Sequence, residues 1–119
     1  MLARIHWIGT WAALLLAVGH IFMTTRMYAD LTVPALWFAG TGLGVFAVGL
    51  LNLLALQTPT GLGRALALAA NVMTTVLMAL LYWLHPAGQV LFGLVLFALL
   101  TLCALAGLAG ARSGAKAGA

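Results

Sequence analysis

The sequence predicts an all-α integral membrane protein, a four-helix bundle with its N-terminus and C-terminus in the cytoplasm. Of its 119 residues, 66% are hydrophobic and only 5% are charged, whereas soluble domains carry about 25% charged residues. Uncharged runs at residues 5–25, 31–63 and 65–111 each reach the roughly 18 residues that mark a spanning candidate. The longer runs need subdividing, and four spans of about 20 residues use nearly all of the chain.

Proline and glycine divide the longer runs into helices. Pro34 suits the first turn of a helix, where the N–H group that it lacks would have no partner. Residues 57–63 and 85–88 each contain proline and glycine and are typical of turns. The predicted helices cover residues 5–24, 34–56, 64–84 and 89–110 of a single transmembrane domain, residues 1–111. Residues 112–119 carry too little apolar surface to fold alone, so we expect a disordered cytoplasmic tail.

The distribution of basic residues predicts the orientation of the bundle, because lysine and arginine in short loops stay on the cytoplasmic side. Four of the five basic residues fall on one side of the predicted bundle: Arg4, Arg64, Arg112 and Lys116. Only Arg26 falls on the other side, in the same loop as Asp30. We therefore expect both termini in the cytoplasm, in a bacterial inner membrane.

Small residues are expected to determine how the helices pack, because helix association in lipid depends on close van der Waals contact between backbones. Helix one carries a stripe of small and polar residues spaced three or four apart: Gly9, Ala13, Ala17, His20 and Thr24. Helix two carries the predicted packing glycines Gly40, Gly42, Gly44 and Gly49. One glycine face is expected to serve the bundle and another a partner subunit.

Polar side chains at membrane depth are the candidates for function, because they must find a partner in the bundle or line a wet cavity. His20 suits a proton relay, a ligand contact or a metal ligand, with a structural hydrogen bond as the alternative. His85, Arg26 and Asp30 are expected near the same boundary and outline an outward-facing pocket. The alternatives are that His85 is an interfacial histidine and that Arg26 and Asp30 form a salt bridge in the loop. Asn71 is a further candidate, with interhelical hydrogen bonding as its alternative role.

No cofactor and no metal site is predicted, although two alternatives stay open. His20, Met23 and Met27 follow i, i+3, i+7 spacing, which places imidazole and thioether groups suited to copper on one helix face. A single haem between His20 and His85 is the other alternative. Cys103 is the only cysteine, so we expect a core side chain rather than a disulfide.

The patterns are compatible with several kinds of partner and function. The first hypothesis is a homo-oligomeric transporter or channel-like subunit, since one small chain cannot enclose a pathway. The second is an accessory or binding protein that holds a lipid, a quinone or a haem between helices, in a homo-oligomer or a larger membrane complex. An intramembrane enzyme acting on a lipid-like substrate is the third, and it would depend on histidine alone. Scattered basic residues form no patch, which excludes nucleic acid as a partner.

The size and helix count resemble those of the small multidrug resistance exporters, which carry a coupling glutamate within helix one. The one acidic residue here, Asp30, lies outside every predicted span. Exchange of drugs for protons by that mechanism is therefore not expected.

Overall fold

Four long α-helices make up the molecule, which confirms the predicted fold class. The structure, a computed structural model, describes residues 1–58 and 60–117. The helices are α1 (Leu2–Met27), α2 (Val33–Gln57), α3 (Gly61–Leu84) and α4 (Gly88–Ala117). Each is long and apolar enough to cross a membrane, because even the 24 residues of α3 rise about 36 Å against a hydrocarbon thickness of about 30 Å.

Threonine side chains begin α2 and α3. The Thr32 hydroxyl accepts a hydrogen bond from the backbone N–H of Ala35 at 3.4 Å, and the Thr60 hydroxyl accepts one from Gly63 at 3.0 Å. Such a cap satisfies one of the N–H groups that have no partner at the start of a helix. The cap at Thr60 accounts for the start of α3, which lies about one turn earlier than the sequence predicted.

α4 continues past its predicted end near residue 110 and reaches Ala117. Alanine, arginine and lysine favour helix, so α4 runs into the segment for which the sequence predicted disorder. Residues 118–119, the end of that predicted tail, lie outside the described residues. Pro59, in the turn between α2 and α3, does so too.

The bundle consists of two antiparallel hairpins, α1–α2 and α3–α4. The helices within each hairpin pack more extensively than the hairpins pack on each other, and the hairpins meet along α2–α3 and α1–α4. We call the end that holds Leu2 and the α2–α3 turn the terminal end. The end that holds the α1–α2 and α3–α4 connections is called the loop end.

The interior is built largely from small and polar side chains, while many large apolar side chains face outward. Residues with no exposed surface include Thr10, Ala13, Ala17, Asn52, Ala67 and Asn71. In contrast, Leu15 is 70% exposed and Trp83 is 85% exposed. An apolar surface of this extent would be an aggregation hazard in water. It is well solvated by hydrocarbon, as expected for an integral membrane protein.

Two glycines bring α2 close to α1. A Cβ atom added to Gly42 or Gly49 would lie 2.7 or 2.6 Å from a side-chain carbon of α1. Among the described residues, no atom other than those of the adjacent α2 segment lies within 4 Å of the corresponding position at Gly40 or Gly44. The predicted packing glycines therefore occupy two faces of α2, one inside the bundle and one open.

Candidate functional site

The polar centre of the bundle is a network of His6, Asn52 and Asn71, which lie on α1, α2 and α3. Each asparagine amide donates from Nδ2 to the Oδ1 of the other, and both bonds measure 2.8 Å. His6 Nε2 lies 2.9 Å from Asn52 Oδ1. The two asparagines are 0% exposed and His6 is 9% exposed. The network is therefore held inside the protein and ties three helices together.

The Asn52 amide nitrogen makes a second hydrogen bond, and this bond determines whether His6 Nε2 donates or accepts. Asn52 Nδ2 lies 2.9 Å from the Val48 carbonyl oxygen, which can only accept. The atom facing Val48 must be the amide nitrogen, so the Asn52 oxygen faces His6 and Asn71. His6 Nε2 therefore carries a proton and donates it to Asn52 Oδ1.

Threonine hydroxyls extend the polar centre to α4. Thr75 Oγ1 lies 2.8 Å from the Asn71 carbonyl oxygen and 3.2 Å from Thr101 Oγ1 on α4. The Thr101 hydroxyl also lies 2.8 Å from the Phe97 carbonyl oxygen. One hydroxyl donates to the other only by giving up its bond to its own helix, because each carries a single hydrogen.

A second site lies at the loop end, where His20 faces a crevice between α1 and α4. The crevice has a volume of about 810 Å³, and most of its lining side chains are apolar. Met23 and Met27 of α1 and Phe92 of α4 line it, and Gln89 supplies an amide. The crevice therefore combines an apolar wall with two groups that can donate or accept hydrogen bonds.

The His20 ring is held by stacking rather than by hydrogen bonds. It lies against the Phe38 ring of α2, with centroids 3.9 Å apart and planes 15° from parallel. His20 Nε2 is buried and has no hydrogen-bond partner in the described part of the chain. A buried polar atom left unpaired costs about 1–3 kcal/mol. The half-buried His20 is thus held at the crevice with one unsatisfied nitrogen.

The other residues of the predicted outward-facing pocket do not join His20. His85 directly follows the last residue of α3, is exposed and does not line the crevice. The Arg26 guanidinium lies over the Phe22 ring, 5.2 Å from its centroid. Asp30 is exposed in the connection after α1, and within residues 1–58 and 60–117 it forms no ion pair with Arg26. The structure brings His20 together with α2 and α4 side chains instead.

The side chains considered as copper ligands share one site, whereas the two histidines considered as haem ligands do not. Met23 and Met27 line the same crevice as His20, whereas His85 does not. Across the described residues, no group of three His, Cys, Asp or Glu side chains is arranged to hold a metal ion. The crevice therefore presents thioether and imidazole groups without an anionic ligand.

Sequence reasoning missed the contact between His6 and Asn52. Helical rise offers a signal that would have found it, because both residues lie about 6 to 8 Å inside the terminal end. The pairing of His20 with Phe38 gave no comparable signal. An aromatic residue on α2 has no feature that distinguishes a histidine partner from a lipid contact.

No family model, curated protein or solved structure matches this chain. The geometry of the two polar sites is therefore the basis for a functional proposal.

Proposed function

We propose that this membrane protein is a binding protein whose crevice at His20 receives a lipid-like molecule with a hydrogen-bonding head, such as a quinone. The observation that supports the proposal is the buried, unpaired Nε2 of a histidine that also lines a cavity of about 810 Å³. Small-molecule sites typically measure about 300–1,000 Å³ and combine apolar walls with a few polar groups. The crevice has that size and that composition.

The polar groups of the crevice suit a carbonyl or hydroxyl group on the ligand. A neutral imidazole has one nitrogen that donates and one that accepts, and the Gln89 amide can do both. The apolar part of the ligand would lie against Met23, Met27 and Phe92. Because the crevice lies between two lipid-facing helices, a molecule dissolved in the bilayer could enter it from the side.

Contact with Nε2 requires the His20 ring to turn, since the surrounding atoms shield that nitrogen from solvent. A half-turn about the Cβ–Cγ bond keeps the ring in its plane and preserves the stack on Phe38. Binding would then remove the cost of the unpaired nitrogen, about 1–3 kcal/mol. That energy corresponds to roughly a 5-fold to 150-fold change in the dissociation constant.

Calorimetric titration of the purified protein in detergent with decylubiquinone tests the proposal. His20→Leu keeps the apolar volume and removes the nitrogens, so its dissociation constant should rise about tenfold. His85→Leu is the matched control, because that histidine is exposed and outside the crevice. Equal affinity of His20→Leu and the unchanged protein, or no saturable binding at all, would contradict the proposal.

A homo-oligomeric transporter or channel-like subunit is the second candidate, and the open face at Gly40 and Gly44 favours it. Small residues allow close approach of a second helix in lipid. A pathway would have to run between subunits, because Phe97 and Leu100, at 0% and 1% exposed, fill the centre of one chain. Flux across proteoliposomes tests this candidate: His20→Ala should reduce it, and unchanged flux would remove the role of His20.

A further inference from the structure

A second cavity lies at the terminal end of the bundle, bounded by all four helices. It has a volume of about 370 Å³ and shares no lining residue with the His20 crevice. Small side chains such as Ala67, Ala104 and Ala106 form much of its wall. His6, Arg64 and Cys103 supply its polar or ionisable groups. The wall of the cavity is therefore formed largely by small side chains, and Arg64 gives it one permanent positive charge.

Arg64 has most of its hydrogen-bonding capacity unused. Its Nη1 donates to the Gly107 carbonyl at 3.3 Å, which leaves four of the five guanidinium N–H groups without a partner in the described chain. The only acidic side chain of the sequence, Asp30, lies at the loop end, beyond α1. Arg64 is therefore a cation at the rim of a cavity, and the sequence places no acidic side chain at this end of the molecule to neutralise it.

The wall beside Arg64 is held in place by the polar centre. His6 lines the cavity while its Nε2 is bonded to Asn52 Oδ1. The imidazole cannot swing into the cavity without breaking that bond. The space next to Arg64 is thus preserved by the packing of the three helices that the network joins.

We propose that this cavity binds a phosphate-type anion, with Arg64 as the charged contact. A guanidinium with free N–H groups matches phosphate oxygens in charge and in geometry. The small apolar wall leaves room for the glycerol part of a phospholipid, so the anion is a lipid headgroup or free phosphate. The proposal is independent of the ligand at His20, since the two cavities lie at opposite ends of the bundle.

Arg4 provides a control that separates a site from general surface charge. It lies at the same end of the molecule and is exposed, but it does not line the cavity. It flanks a neighbouring groove with Trp7 and Ile8. Neutralising either arginine removes one positive charge from the terminal end. Only Arg64→Gln removes the charge from the cavity.

Native mass spectrometry of the full chain, released from nanodiscs of mixed phosphatidylglycerol and phosphatidylcholine, measures the preference for the anionic lipid. Arg64→Gln should lower that preference about tenfold, while Arg4→Gln should leave it nearly unchanged. Ala106→Leu keeps every charge and fills part of the cavity, so it should also lower the preference. Equal losses in Arg64→Gln and Arg4→Gln, or full retention in Ala106→Leu, would overturn a lipid headgroup as the bound anion.

Alkylation of Cys103 by N-ethylmaleimide reports the same cavity, because its thiol is the only one in the chain. Slower alkylation in phosphatidylglycerol than in phosphatidylcholine supports a lipid headgroup. Slower alkylation on adding inorganic phosphate in detergent supports a free anion. Either protection should disappear in Arg64→Gln. Alkylation rates that respond to neither lipid nor phosphate would contradict binding at this cavity.

Discussion

Asn52 and Asn71 join the two helical hairpins through a pair of reciprocal amide hydrogen bonds, each 2.8 Å long and fully buried. The other side-chain hydrogen bond between the hairpins, among the described side chains, is a long contact of 3.9 Å from Cys103 Sγ to the Leu2 carbonyl. His6 and Thr101 make their bonds within a hairpin. The asparagine pair is therefore the main polar link between the two hairpins, which pack on each other less extensively than the helices within each hairpin do.

The asparagine pair predicts a measurable coupling between α2 and α3. Interhelical hydrogen bonds in membrane proteins contribute about 0.6 kcal/mol on average, so two should give a coupling energy of about 1 kcal/mol. A double-mutant cycle of Asn52→Leu and Asn71→Leu, with unfolding followed in mixed micelles, measures it. Thr41→Val is the control, because that exposed hydroxyl bonds only its own helix. Additive effects of the two asparagine substitutions would contradict the pairing.

The direction of the hydrogen bond from His6 predicts the tautomer of its ring. Asn52 Oδ1 accepts from Nε2, so Nε2 should be protonated in the folded protein. Nitrogen-15 NMR of labelled histidine in micelles distinguishes a protonated from an unprotonated ring nitrogen, and His6→Gln identifies the resonance. Asn52→Leu should shift this resonance strongly, because the acceptor is lost. A ring with its hydrogen on Nδ1 alone would mean that the Asn52 amide is turned the other way.

The number and class of the helices could be predicted from the uncharged runs and from the proline and glycine that divide them, because hydrocarbon demands long uncharged helices. The helix ends were less predictable. Thr60 begins α3 and alanine-rich sequence extends α4, and both are local effects that hydropathy does not register. The seven-residue separation of Gly42 and Gly49 places both on the same helix face, because it spans two turns. That this face packs against α1 became visible only in the structure.

The candidate sites were predictable only in part. Of the predicted candidates, His20 lines the crevice and Asn71 joins the buried network, whereas His85 lies outside both. Which of them meet depends on the rotation of each helix about its axis. The sequence of nearly uniform apolar helices leaves that rotation undetermined, so the stack of His20 on Phe38 and the bond from His6 to Asn52 became visible only in the structure.

The orientation of the bundle is a separate prediction, based on the four-to-one distribution of basic residues. Both termini should lie in the cytoplasm. Green fluorescent protein fused to the C-terminus should therefore fluoresce in bacterial cells, and alkaline phosphatase at the same position should be inactive. Alkaline phosphatase inserted after Asp30 should be active. The reverse pattern would place Arg64 and its cavity on the outer side of the membrane.

The two glycine faces of α2 predict opposite effects of the same substitution. Gly42→Ala and Gly49→Ala place a methyl group within 3 Å of α1 side chains, so overpacking should destabilise the bundle by about 1–3 kcal/mol. Gly40→Ala and Gly44→Ala meet open space, and alanine favours helix over glycine by up to about 1 kcal/mol. Those variants should be neutral or more stable in unfolding measurements on monomeric protein in detergent. Equal losses of stability at all four positions would mean that both faces are packed. If Gly44→Ala instead loses stability in lipid but not in detergent, the open face would be identified as the contact between subunits.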